Sequence, residues 1–189
     1  RFQPDVVLLF LAMRDLEPQS AHHCTALTME TRRHLLDALV QRVEEWVHQA
    51  RQRSKAQLLV ANFAPPAYPQ QGVADLADPL GEGVFYQVLN TRLAETFSGS
   101  PDVQLLDLAK LTTRFGADNV LDPKLYYMAK MLWSERFLPV VADEVLRTLM
   151  AVRGLARKCL VVDLDNTLWA GVVGEEGPHG VKVGVGDAV

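Results

Sequence analysis

The sequence predicts an α/β fold in which a parallel sheet lies between two layers of helices, a three-layer α/β/α arrangement. Three observations carry it. Runs rich in Val and Leu at 5–12, 57–63 and 103–106 have the length and composition of strands buried on both faces. Segments with apolar residues at helical spacing stand between and after them. The loop expected above the second strand's carboxyl end, 64–80, holds Pro65, Pro66, Pro69, Gly72 and Pro79. Strands alternating with helices need crossover connections, which give a parallel sheet with right-handed links.

The apolar run from Val6 to Met13, which holds the first strand, is bracketed by Asp5 and Arg14. Thr28 caps a helix over 29–52, whose stripe is Leu35, Leu39, Val43, Trp46, Val47 and Ala50. After the strand at 57–63 and the proline loop, a second helix covers 84–97, with Phe85, Leu89, Leu93 and Phe97 on one side. The strand at 103–106 leads into a helical turn through Leu111 and Phe115 that stops at Gly116. Ser134 then caps a helix reaching 152, with Pro139 early enough to be tolerated and Phe137, Val141, Val145, Leu149 and Val152 facing inward. Residues 1–153 make one domain, 154–157 a linker, and 158–189 the start of a second. That last segment is shorter than the roughly 40 residues that usually fold alone, so it is expected to need other chain to pack against.

The chemistry is concentrated in the second part. Residues 159–162 read as a buried strand that ends at Asp163-Leu164-Asp165-Asn166-Thr167. With strand alternation, Asp163 and Asp165 leave on the same face. Two such carboxylates can share Mg²⁺ and a phosphate: Asp163 as nucleophile and metal ligand, Asp165 as acid/base and second metal ligand. Thr167 has a hydroxyl suited to pinning the turn, and Asn166, Thr167 and Trp169 are the candidate substrate contacts. A calcium loop also begins Asp-x-Asp, but it needs Gly and Glu where this chain has Leu168 and Gly174. Gly171, Gly174 and Gly177 suggest a hairpin flap over the carboxylates, or simply tight turns.

An apolar strand followed by Asp-x-Asp-x-Thr resembles the first motif of the haloacid-dehalogenase superfamily. More narrowly, 158–177, KCLVVDLDNTLWAGVVGEEG, resembles the FkbH-type branch of polyketide biosynthesis. The resemblance implies a Rossmann-like phosphatase domain and Mg²⁺. It also implies removal of phosphate from a glyceryl donor and transfer of the glyceryl unit to an acyl carrier protein. It further implies a later Ser or Thr, a Lys and another acidic pair, which cannot be placed in 168–189, so the chain reads as a fragment with half an active site. Residues 1–153 resemble the SGNH-hydrolase-like domain that precedes the phosphatase part in that branch, a flavodoxin-like sheet. Its cues are Pro4-Asp5-Val6-Val7, Val60-Ala61-Asn62-Phe63 and Asp122-Pro123-Lys124-Leu125. The oxyanion Asn of such hydrolases would be Arg14 here and the catalytic His would be Leu125, so esterase activity is not expected. Asn62 and Asp122 are expected to cap local structure.

Composition bounds the alternatives. With 49% hydrophobic residues in 189, the chain can bury a core. A net charge of −4 with scattered Lys and Arg does not favour nucleic acid. No apolar run reaches the roughly twenty residues of a membrane span. The two cysteines make no framework, so a reduced, cytoplasmic protein is expected. Cys159 reads as a small core residue. Cys24, beside His22 and His23, is the better nucleophile of the two, though adjacent residues rarely align as nucleophile and base. Two further readings stay open: a non-catalytic module that docks a carrier protein or synthase, and a stand-alone small-molecule phosphatase.

Overall fold

The computed structural model describes residues 3–17, 26–155, 159 and 161–182. Ser20, His22, His23, Cys24 and Lys158, half of the expected linker and the Arg14 side chain lie outside the described residues. The chain forms two compact units, 1–150 and 151–189.

In the first unit, β1 (Val6–Leu9), β2 (Gln57–Ala61) and β3 (Val103–Leu106) form a parallel sheet with β2 in the centre. The register pairs Val6 with Gln57 and Leu9 with Val60, then Leu58 with Val103 and Ala61 with Leu106. Strand alternation sorts the side chains into two cores. Leu58, Val60 and Val103 pack with α2 (Met29–Arg53) and α3 (Glu82–Phe97) through Leu36, Leu39, Val43, Phe85, Leu89 and Leu93. Ala61 and Leu106 face the other way, onto Leu108 and Leu111 of α4 (Leu108–Phe115) and onto Phe137 and Val141. Helices on both faces of a parallel sheet are the architecture that the alternation of elements predicts.

The remaining helices are α1 (Met13–Leu16), α5 (Ala117–Val120), α6 (Pro123–Ala129) and α7 (Leu138–Val152). Thr28 caps α2 by accepting the Thr31 N–H at 3.2 Å, as expected. The buried stripe of α2 runs through Arg32, Leu36, Leu39, Val43 and Val47, while Trp46 lies beside it, 37% exposed. Ser134 does not cap α7. Its hydroxyl donates to the Asn119 carbonyl at 2.7 Å, a turn occupies 135–137, and the helix begins at Leu138. The proline loop contains a 3₁₀ turn at Gly72–Ala77. Arg32, at 7% exposure, anchors that loop by donating to the Leu27 and Leu80 carbonyls and to Asp78.

The expected strand at 159–162 is not formed at the described positions, and Cys159 is exposed rather than a core residue. Val161 is 90% exposed. A strand needs a neighbour to take its backbone donors and acceptors, and none of the described residues pairs with this segment. A buried Val contributes about 1.5–3 kcal/mol against roughly 1–2 kcal/mol for ordering one residue; exposed, Val161 offsets none of that cost.

Candidate functional site

The motif in the second unit is held as a tight turn. The Leu164 carbonyl accepts the N–H groups of Thr167 at 3.2 Å and Leu168 at 2.9 Å. Asn166 takes the left-handed conformation at φ 55°, which Asn tolerates better than most residues. Its side-chain oxygen accepts the Gly171 N–H at 3.0 Å. Asn166 thus fastens the turn, together with the Leu164 carbonyl, where the sequence pointed to the Thr167 hydroxyl. Asp165 is half-buried, and its Oδ1 accepts from the Trp169 indole N–H at 2.9 Å and the Val173 N–H at 3.2 Å. Trp169 therefore positions Asp165. Asp163 is exposed, and its Oδ1 accepts the Leu164 N–H at 2.9 Å.

Beyond the motif, α8 (Val173–Glu176) replaces the expected hairpin flap, and Ala170 and Lys182 exchange two 2.9 Å backbone hydrogen bonds across it. Gly171 sits at φ 106°, which requires glycine there, and the Glu176 carboxylate lies 3.0 Å from where a Cβ would be.

Mg²⁺ takes hard oxygen ligands, one or two carboxylates completed by water and phosphate. The Oδ2 atoms of Asp163 and Asp165 make no hydrogen bond among the described residues. Two carboxylates with free oxygens fit that ion in kind, although no group of three potential metal ligands occurs among the described residues.

In the first unit, the strand ends carry structural polar groups. Asn62 donates to Asp107 at 2.9 Å and accepts the Ala109 N–H at 2.9 Å, which ties β2 to the start of α4 rather than capping 64–66. The loop after β2 is held instead by Asn90, which donates to the Phe63 carbonyl at 2.8 Å and accepts its N–H at 2.9 Å. Asp122 caps α6 by accepting the Leu125 N–H at 3.1 Å, with Pro123 in the first turn, as expected of a turn residue. No Ser hydroxyl bonds a His among the described residues.

Past these strand ends lies a cleft of about 650 Å³, which no local sequence pattern announced. Phe10, Phe63, Tyr86 and Trp133 give it aromatic walls, and Glu82, Thr112 and Asp118 are among its polar lining. Open α/β sheets bind ligands at this end. Tyr68, 77% exposed, donates to Asp118 at 2.7 Å; that hydrogen bond, and then the carboxylate's charge, raise the phenol's pKa above its ordinary value. Among the described residues, no helix is long and apolar enough to cross a membrane.

Comparison with known proteins gives two findings. The family described as FkbH, N-terminal domain, matches residues 1–150. Among solved structures, the chain is similar to the crystal structure of the N-terminal part of the protein BF1531 from Bacteroides fragilis, containing a phosphatase domain complexed with Mg. The TM-score is 0.69 at 22% identity, over 98% of this chain and 47% of that one, so this chain spans about half the length of its structural relative. No curated protein sequence matches.

Proposed function

The chain belongs to the FkbH N-terminal-domain family, and from that premise we propose that it serves Mg²⁺-dependent phosphoryl chemistry at Asp163. The proposed donor is a glyceryl phosphate of the 1,3-bisphosphoglycerate kind, and the glyceryl unit is loaded onto an acyl carrier protein. The observation that supports this most is the unequal treatment of the two carboxylates. Trp169 and Val173 hold Asp165 at one oxygen, while Asp163 stands exposed, bonded among the described residues only to the N–H of its neighbour.

In this reading an Asp163 oxygen attacks the phosphorus of the donor's phosphate ester and the ester P–O bond breaks. The acyl phosphate at the other end stays intact for the carrier thiol, which attacks its carbonyl carbon and releases inorganic phosphate, the thiol proton leaving with it. Asp165 gives the leaving ester oxygen a proton and then takes one from the water that hydrolyses the aspartyl phosphate. The two donors on Asp165 Oδ1 aim its other oxygen, which carries the proton. Asn166 and Thr167 would meet the substrate from the turn. When bound, Mg²⁺ would be held by the Asp163 carboxylate and the Asp165 main-chain carbonyl and would supply the positive charge that offsets repulsion between carboxylate and phosphate.

The test uses the complete polypeptide that carries this chain, with Mg²⁺, the glyceryl phosphate donor and a holo carrier protein. Phosphate release and a carrier heavier by one glyceryl unit are expected, and Asp163→Asn removes both. Loading is expected to survive Cys24→Ala. A carrier that binds equally well to the Asp163→Asn protein, and whose mass never rises with either protein, would establish a docking module instead.

A further inference from the structure

The cleft at the strand ends of the first unit has a charge character of its own. Glu82 lines it at 4% exposure. Its carboxylate accepts one described hydrogen bond, from the Gln70 N–H to Oε2 at 2.8 Å, and no Lys, Arg or His among the described residues is paired with it. An ionised carboxylate can accept about four hydrogen bonds, and burying one without a compensating charge is costly. Its place in the first turn of α3 offsets part of that cost through the helix dipole but adds no donor to Oε1. Asp118 supplies a second carboxylate, and no Lys, Arg or His is in the described lining.

A third group points the same way. Thr112 lines the cleft at 5% exposure, and its hydroxyl is buried without a hydrogen-bond partner among the described residues. Each of these three groups has acceptor capacity to spare. The walls are aromatic, and aromatic faces attract cations. Lys130 sets its ammonium 5.5 Å from the centre of the ring of Tyr126, another lining residue.

We propose that this cleft binds a small organic ammonium ion with an apolar, preferably aromatic, body. The ammonium N–H groups meet Glu82 and Asp118, and the body packs between Phe63, Tyr86 and Trp133. Phosphates and carboxylates are excluded by the same two side chains. The volume lies within the usual range for small-molecule sites, roughly 300–1,000 Å³.

The experiment titrates the isotope-labelled full chain with three matched probes: 2-phenylethylammonium, 2-phenylethanol and phenylacetate. The indole N–H signal of Trp133 reports on the cleft and is assigned with Trp133→Phe. The ammonium is expected to bind about tenfold or more tightly than the alcohol, and phenylacetate least. Glu82→Gln keeps an acceptor for the Gln70 N–H; it should erase the advantage of the ammonium and leave alcohol affinity within about twofold. Asp118→Asn, at an exposed position, should reduce the same advantage and provides the test if Glu82→Gln does not fold. Equal binding of ammonium and alcohol, binding of phenylacetate as tight as the ammonium, or no movement of the Trp133 signal with any probe would each overturn the proposal. A ranking that both variants leave unchanged would also overturn it, because the carboxylates would then serve only the fold.

Discussion

Replacing Asp75 by Ala should loosen the wall of the cleft that carries Glu82, and the cost can be worked from the contacts. Asp75 lies in the 3₁₀ turn at 6% exposure; its Oδ1 accepts the Glu82 N–H at 2.5 Å and its Oδ2 the Gly83 N–H at 3.1 Å. These are two of the first N–H groups of α3, which have no partner inside the helix. Gly83 is exposed, so its N–H can turn to water after the substitution. Glu82 is buried, so its N–H would be left unpaired at about 1–3 kcal/mol. Losing a negative charge at the helix start adds about 0.3–1 kcal/mol, for a total of about 1.3–4 kcal/mol. At about 2–4 °C per kcal/mol for a unit of this size, the melting temperature should fall by roughly 3–16 °C. Asp75→Asn keeps one carbonyl oxygen for the buried donor and should cost less than about 1 kcal/mol. Urea and thermal unfolding followed by circular dichroism measure both. An Ala variant within about 0.5 kcal/mol of the parent, the level of an ordinary surface change, would refute the reasoning. So would an Asn variant as unstable as the Ala one.

Two predictions concern pH. Hydrogen bonds from Arg32 and then from the Leu80 N–H hold the Asp78 carboxyl below its ordinary value of 3.8. Because the folded value is the lower one, the stabilisation is complete above the ordinary value and fades as pH falls through the folded value. The stability difference between the parent and Asp78→Asn should therefore be flat above that range and shrink with acid; a difference that ignores pH would contradict it. Asp118→Asn should bring the Tyr68 phenol down towards its ordinary value of 10.0, read as an absorbance titration against the Tyr68→Phe background, and an unmoved titration would show that the hydrogen bond is not made.

The elements that were legible are those in which one strip of sequence meets one surface. In α3, Phe85, Leu89 and Leu93 repeat at helical spacing because a single face packs on the sheet. The strand β3 was legible to the residue, since Val103, Leu105 and Leu106 put apolar side chains on both faces of a short strand and only Gln104 interrupts them. Elements of four to seven residues, α1, α5 and α6, escaped because one or two turns of helix leave too little period to read. At 159–162 the composition of a buried strand was real, but strand geometry depends on a pairing partner that residues 159–162 cannot encode. The anchoring of the proline loop by Arg32 and Asp75 was missed too. An acidic residue shortly before Gly81 and Glu82 at a helix start was the signal that could have raised it.

The two candidate sites differ in how sequence could reveal them, and in the charge they accept. The Asp163 turn is a contiguous motif, so its residue types and spacing were readable directly, whereas the roles of Asn166 and Trp169 in fastening it needed coordinates. The cleft is assembled from four stretches far apart in sequence, around Phe10, Phe63, Glu82 and Thr112, so no spacing rule could find it. Its chemistry also opposes that of the turn. Carboxylates paired with Mg²⁺ attract a phosphate, but the described side chains lining the cleft present carboxylates without a cation and repel one. A phosphate-bearing donor therefore has no reason to enter the cleft, and an ammonium held there is no substrate for attack by Asp163. If Asp163 takes the proposed phosphoryl group, a ligand of the cleft would be a different molecule, or a different part of one.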